Sequence, residues 1–147
     1  MNTEEKYGRK TEKTGLFSSL KFQRHQKRGE RMKRILVVDD EPNIRELLKE
    51  ELQEEGYEID TAENGEEALK KFFSGNYDLV ILDIEMPGIS GLEVAGEIRK
   101  KKKDAKIILL TAYSHYRADL SSWAADEYVV KSFNFDELKE KVKKLLS

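Results

Sequence analysis

Four short apolar runs, each ending on a polar residue, constrain this chain more than any other feature. They are Ile35-Leu36-Val37-Val38 before Asp39-Asp40, Leu79-Val80-Ile81-Leu82 before Asp83, Ile107-Ile108-Leu109-Leu110 before Thr111, and Tyr128-Val129-Val130 before Lys131. Each is too short for a buried helix, and most are rich in β-branched residues. They read as strands covered on both faces. Tyr57 to Ala62 alternates instead, with Tyr57, Ile59 and Thr61 on one side and Glu58 and Asp60 on the other, which suits a strand at a sheet edge.

Amphipathic segments separate the strands. Pro42 sits where a helix would begin, and Ile44, Leu47, Leu48 and Leu52 recur at helical spacing until Gly56. Asn64-Gly65-Glu66-Glu67 and Ser90-Gly91-Leu92-Glu93 both have the form of a capping box. A short helix is expected around Leu120 to Ala125, and Asn134-Phe135-Asp136-Glu137 is expected to cap a last one carrying Leu138, Val142 and Leu145. Five strands alternating with five helices argue an α/β fold, a parallel sheet with helices on both faces in three αβα layers.

The expected domain spans residues 34–147. Residues 1–33 are polar and basic and read as a mostly disordered extension. Leu16, Phe17 and Leu20 are a possible short helical face within it. Met32 leaves open whether the segment is a native arm, an alternative start or an appended leader. Residues 1–34 carry 11 Lys/Arg against 4 Asp/Glu, whereas residues 35–147 carry 16 against 25, so a basic arm precedes an acidic body. The absence of cysteine excludes disulfides, thiolate zinc sites and a cysteine nucleophile. Two isolated histidines, His25 and His115, make a His-based metal site or triad a poor reading. No apolar stretch approaches the roughly 20 residues of a membrane-spanning helix, and no secretory leader is evident. A cytoplasmic location is the expectation. Neither GxGxxG nor GxxxxGK[ST] occurs. Arg99 to Lys103 reads as a solvated helix end, and Trp123 as a packed helix residue.

Ligand sites in parallel α/β sheets lie outside the carboxyl ends of the strands. Strand direction therefore brings Asp39, Asp40, Asp83, Thr111 and Lys131 to one edge. Taken singly, each has an ordinary explanation as a helix-start acid, a turn residue, a strand-end hydroxyl or a surface lysine. Their placement at four successive strand ends does not. Like-charged carboxylates about 4 Å apart cost roughly 4 kcal/mol at an effective dielectric near 20, so the cluster calls for a cation. Oxygen ligands suit a hard ion such as Mg²⁺. With a lysine and a hydroxyl, these are the parts for phosphoryl transfer to an aspartate.

Residues 34–147 resemble a two-component response-regulator receiver domain. The resemblance rests on Asp39-Asp40, Asp83 in Leu82-Asp83-Ile84-Glu85-Met86-Pro87-Gly88, Gly91, Thr111-Ala112, and Tyr128 three before Lys131. It implies a flavodoxin-like sheet of order 2-1-3-4-5 and Asp83 as phosphoacceptor. Mg²⁺ would be held by Asp39, Asp40, Asp83 and the Glu85 carbonyl, and Lys131 would sit at the phosphoryl group or, before transfer, at Asp83. Thr111 and Tyr128 would be the switch pair, altering a surface of the fourth helix, fifth strand and fifth helix that faces a downstream protein. Glu85 and Tyr113 occupy positions that tune phosphoryl lifetime.

The implied donor is a phosphohistidine on a sensor kinase or histidine phosphotransfer protein. The protein is then a cytoplasmic signalling phosphoprotein more than an enzyme. With the chain ending at Ser147, a stand-alone receiver without a DNA-binding domain is expected. Two other functions fit parts of the sequence: a pseudo-receiver that binds partners without phosphorylation, and a nucleic-acid or anionic-membrane binder acting through the basic arm. There are departures from the family pattern. Ser132 stands where the family usually has proline, often after a cis peptide, so either a non-proline cis bond costing about 3–4 kcal/mol persists or the loop is rebuilt. The Thr111-to-Lys131 interval also looks shorter than the common spacing.

Overall fold

A computed structural model describes residues 31–113, 124–132 and 134–147. The strands are β1 (Arg34–Val38), β2 (Glu58–Ala62), β3 (Leu79–Asp83), β4 (Ile107–Thr111) and β5 (Glu127–Val130). The helices are α1 (Pro42–Glu54), α2 (Gly65–Ser74), α3 (Gly91–Lys101) and α4 (Asp136–Leu146). All pairs are parallel, in the order β2-β1-β3-β4-β5, so the alternating β2 does lie at an edge.

Period-two side-chain direction divides the strand residues between two cores. Leu36, Val38, Val80, Leu82, Ile107 and Leu109 face one side, under Ala68 and Phe72 of α2 and Val94, Ala95 and Ile98 of α3. Ile35, Val37, Leu79, Ile81, Ile108 and Leu110 face the other, under Leu48 and Leu52 of α1 and Leu138 and Val142 of α4. Two-sided burial is why these strands read as unbroken apolar runs. At about 25 cal/mol per Å² of apolar surface, each fully covered Leu or Ile contributes roughly 1.5–3 kcal/mol.

The helix ends follow local chemistry, with some differences from expectation. Ser90 and Glu93 form the full capping box. Asn64 caps α2 by accepting from Glu67 N–H at 2.8 Å, but the Glu67 carboxylate takes the Glu63 N–H instead of Asn64's. α1 ends at Glu54, and Gly56 adopts φ 102°, the left-handed conformation that glycine reaches without a Cβ penalty. Leu47, expected on the apolar stripe, is 40% exposed, whereas Leu48 and Leu52 are buried and Ile44 packs partly buried beside them. α4 begins at Asp136, one turn residue later than a direct Asn134 cap requires. Asn134 accepts from Asp136 N–H at 2.8 Å, two residues on.

Four helices stand among the described residues where five were expected. Residues 120–123 of the fifth lie outside those described, and Ala124 and Ala125 are non-helical backbone leading into β5. Residues 1–30, with the apolar trio and His25, and also His115 and Trp123, lie outside the described residues too. Arg99 anchors the entry to β5. Its guanidinium donates to the carbonyls of Ala124, Lys103 and Ala105 and to the Asp126 carboxylate. At the amino end of the sheet, Arg31 makes a two-pronged ion pair with Asp78 at 2.7 and 2.9 Å, and Asp78 also accepts the Arg34 N–H.

Candidate functional site at the carboxyl edge of the sheet

Register brings the site together. Val38 pairs with Leu82, so Asp39 and Asp83 follow side by side from the two central strands. Asp83 pairs with Leu110, which sets Thr111 beside it. Thr111 pairs with Val130, and Lys131 is next, its N–H bonded to the Thr111 carbonyl at 2.7 Å. Among the described residues, the buried polar ones are Asp39, Asp83 and Thr111, at 0%, 1% and 0% exposure.

Asp39, Asp40 and Asp83 each offer an oxygen, all within 4.8 Å of one another. The Lys131 ammonium lies 3.2 Å from Asp39 Oδ2, 3.2 Å from Asp83 Oδ2 and 3.9 Å from Glu41 Oε1. Burial, and after it the Asp39 charge, pushes the Asp83 carboxyl up from 3.8 to about 7, against the pull of Lys131. Burial also works to discharge Lys131, but Asp83 and Asp39 outweigh it and its pKa is raised. One cation thus serves two buried anions. Asp39 Oδ2 faces the ammonium yet accepts no well-aligned hydrogen bond, although it is fully buried. A buried carboxylate oxygen whose ammonium partner is shared with Asp83, beside a third acid, leaves negative charge that a hard divalent cation would offset.

Glu85 behaves in a way the sequence did not signal. Its N–H donates weakly to Asp83 Oδ1 at 3.3 Å. Its carboxylate crosses to β4, accepting the Thr111 hydroxyl proton at 2.7 Å on Oε2 and the Ala112 N–H at 3.2 Å on Oε1. Thr111 Oγ1 in turn accepts the Tyr113 N–H at 3.0 Å. Tyr113 is 51% exposed. Tyr128 is half-buried against the α2–α3 core. Two further residues frame the acids. Glu41 N–H donates to Asp39 Oδ1 at 2.9 Å, and the Arg45 guanidinium donates to the Asp39 carbonyl at 2.8 Å. Their position in and before the first turn of α1 was the available signal. Ser132 Oγ donates to the Asn134 carbonyl at 2.8 Å and accepts the Asn134 N–H at 3.2 Å.

The model of the response regulator receiver domain matches residues 35–143, and the chain belongs to that family. Among curated relatives it is 48% identical over 115 residues to the transcriptional regulatory protein ResD of Bacillus subtilis, covering 77% of this chain and 48% of ResD. The chain spans about half the length of the curated relatives it matches. Among solved structures it is similar to the response regulator TrrA of Thermotoga maritima in complex with Mg²⁺ and BeF (99% identity, TM-score 0.75, covering 78% of this chain and 99% of that one). A complex of TrrA with the histidine kinase ThkA matches at 98% identity and TM-score 0.74, covering 79% of this chain and 100% of that one. Among the described residues, no helix is long and apolar enough to cross a membrane.

Proposed function

We propose that this chain is a cytoplasmic phosphoacceptor of a two-component system, receiving a phosphoryl group on Asp83 from a phosphohistidine of a sensor kinase or histidine phosphotransfer protein. The observation that carries the reading is the placement of Asp83. Its buried carboxylate has Lys131 at 3.2 Å and two further carboxylates within 4.8 Å. The kinase complex of TrrA and its Mg²⁺-BeF complex support it by similarity.

In the transfer, an Asp83 carboxylate oxygen forms the new P–O bond as the P–N bond of phosphohistidine breaks, and the leaving imidazole keeps the electron pair and takes up a proton. Asp39, Asp40, Asp83 and the Glu85 carbonyl would hold Mg²⁺, which would supply positive charge against the negative charge of the transferring group. Lys131 exchanges its Asp83 contact for a phosphoryl oxygen and offsets the same charge. The added group carries about −1.5 to −2 charge. The Thr111 hydroxyl answers it, and Tyr128 follows, which reshapes the face around β5 and α4 for a downstream protein. That differential contact is what biases a two-state surface.

Incubation with a small-molecule phosphodonor and Mg²⁺, followed by intact-mass measurement, tests this. Wild type gains one phosphoryl group and Asp83→Asn gains none. Equal labelling of both would remove Asp83 from the mechanism.

A further inference from the structure

The geometry points to the Glu85 carboxylate as a built-in competing anion: it occupies the two donors at the end of β4 that a phosphoryl group on Asp83 must take over. The inference deepens the phosphoacceptor reading and rests on it. Thr111 Oγ1–H and the Ala112 N–H point to one anion, and each carboxylate oxygen of Glu85 accepts one of them, at 2.7 and 3.2 Å. A hydroxyl has one proton to give, and so has a backbone amide. Thr111 cannot serve Glu85 and a phosphoryl oxygen together. Asp83 and Thr111 end neighbouring strands, so the two anions compete at the same place.

The competition has a direction. Glu85 is two residues from Asp83, and its charge already disfavours a charged Asp83. A phosphoryl group bearing more charge repels it further. Glu85 is partly exposed, so its carboxylate has a path to water, whereas Thr111 is fully buried and has none. Displacement also reaches the following chain. Thr111 Oγ1 holds the Tyr113 N–H at 3.0 Å, and turning the hydroxyl toward Asp83 changes that bond. Glu85 is thus a positioning residue that keeps Thr111 in its resting rotamer until a stronger anion arrives.

Two measurements test this. In metal-free ¹⁵N-labelled protein, Glu85→Gln and Glu85→Ala each shift the Ala112 and Tyr113 amide protons away from their wild-type positions. Unchanged amides in both variants would overturn the inference. With Mg²⁺ and beryllofluoride as the phosphoryl mimic, Glu85→Gln binds about tenfold more tightly than wild type, equivalent to about 1.4 kcal/mol. In a Thr111→Val background the same change gives less than about twofold, because the contested hydroxyl is gone. An equal gain in both backgrounds would mean simple charge repulsion and overturn it. If wild type binds beryllofluoride through Asp83 and Glu85→Gln matches it, the inference alone fails. If wild type binds none, the phosphoacceptor reading fails as well.

Discussion

Gly91 is seated against the backbone of Asp83 so closely that a Cβ at Gly91 would lie 2.1 Å from the Asp83 carbonyl oxygen. The first residue of α3 therefore fixes where β3 ends, and with it where the Asp83 carboxylate stands. Neither partner is a flexible side-chain tip, so no rotamer change makes room. Gly91→Ala must move the helix or the strand end. A loss of about 1–3 kcal/mol is expected, the usual range for forced overpacking, together with slower phosphorylation of Asp83. Denaturant unfolding and phosphodonor labelling read the two effects. A variant with wild-type stability and rate would show that the contact relaxes freely.

Lys131 neutralises Asp39 and Asp83 at once, so Lys131→Met leaves two buried carboxylates facing each other. Breaking a buried pair costs about 3–5 kcal/mol when both groups are dry. The Lys131 side chain is 21% exposed, so a smaller loss is expected in metal-free buffer. Millimolar Mg²⁺ should restore part of it in Lys131→Met, since a cation that binds the folded state stabilises it by mass action. Adding Asp39→Asn should remove that rescue. Thermal unfolding with and without chelator checks each step.

Asp83 sets a pH dependence whose sign follows from its raised pKa. The folded carboxyl titrates near 7, against 3.8 for an ordinary aspartate. Between those values the folded state binds more protons than the unfolded chain, so the contribution of this group to stability is full below about pH 4 and is lost as pH rises through about 7. In chelator, Asp83→Asn should be more stable than wild type at pH 8, with the advantage shrinking toward pH 5. A wild type whose metal-free stability rises between pH 5 and 8 by as much as the variant's would contradict the assignment.

Tyr113 stands two residues beyond Thr111, with half its surface exposed. From its position two residues after Thr111, the bulky ring is expected to screen attacking water. Tyr113→Ala should dephosphorylate several-fold faster than wild type, read by the decay of phosphoprotein mass after donor removal. An unchanged or slower decay would assign the ring another role.

Much of this architecture is legible from pattern. Strands buried on both faces, such as Leu79 to Leu82, betray themselves as apolar runs, and parallel direction then carries Asp39, Asp83, Thr111 and Lys131 to one edge without long-range information. Ser90 and Glu93 announce a helix start because the capping bonds are local. What stays hidden depends on choices between elements. The reach of Glu85 to Thr111 is a rotamer decision across two strands, and no spacing records it. Leu47 keeps helical periodicity yet faces outward, because the width of the buried stripe depends on how α1 leans on the sheet. The late start of α4 places Phe135, not Asn134, at the cap position, while the Asn134 side chain spends its oxygen on the Asp136 N–H.

The ion pair between Arg31 and Asp78, with the Arg34 N–H on the same carboxylate, ties the residues just before β1 to the segment that leads into β3. This contact lies at the amino end of the sheet, about 16 Å along a five-residue strand from the carboxyl edge that carries Asp39, Asp83, Thr111 and Lys131. The two poles are thus chemically independent: Asp78→Asn loosens the entry to β1 and leaves the acid cluster at the opposite rim intact.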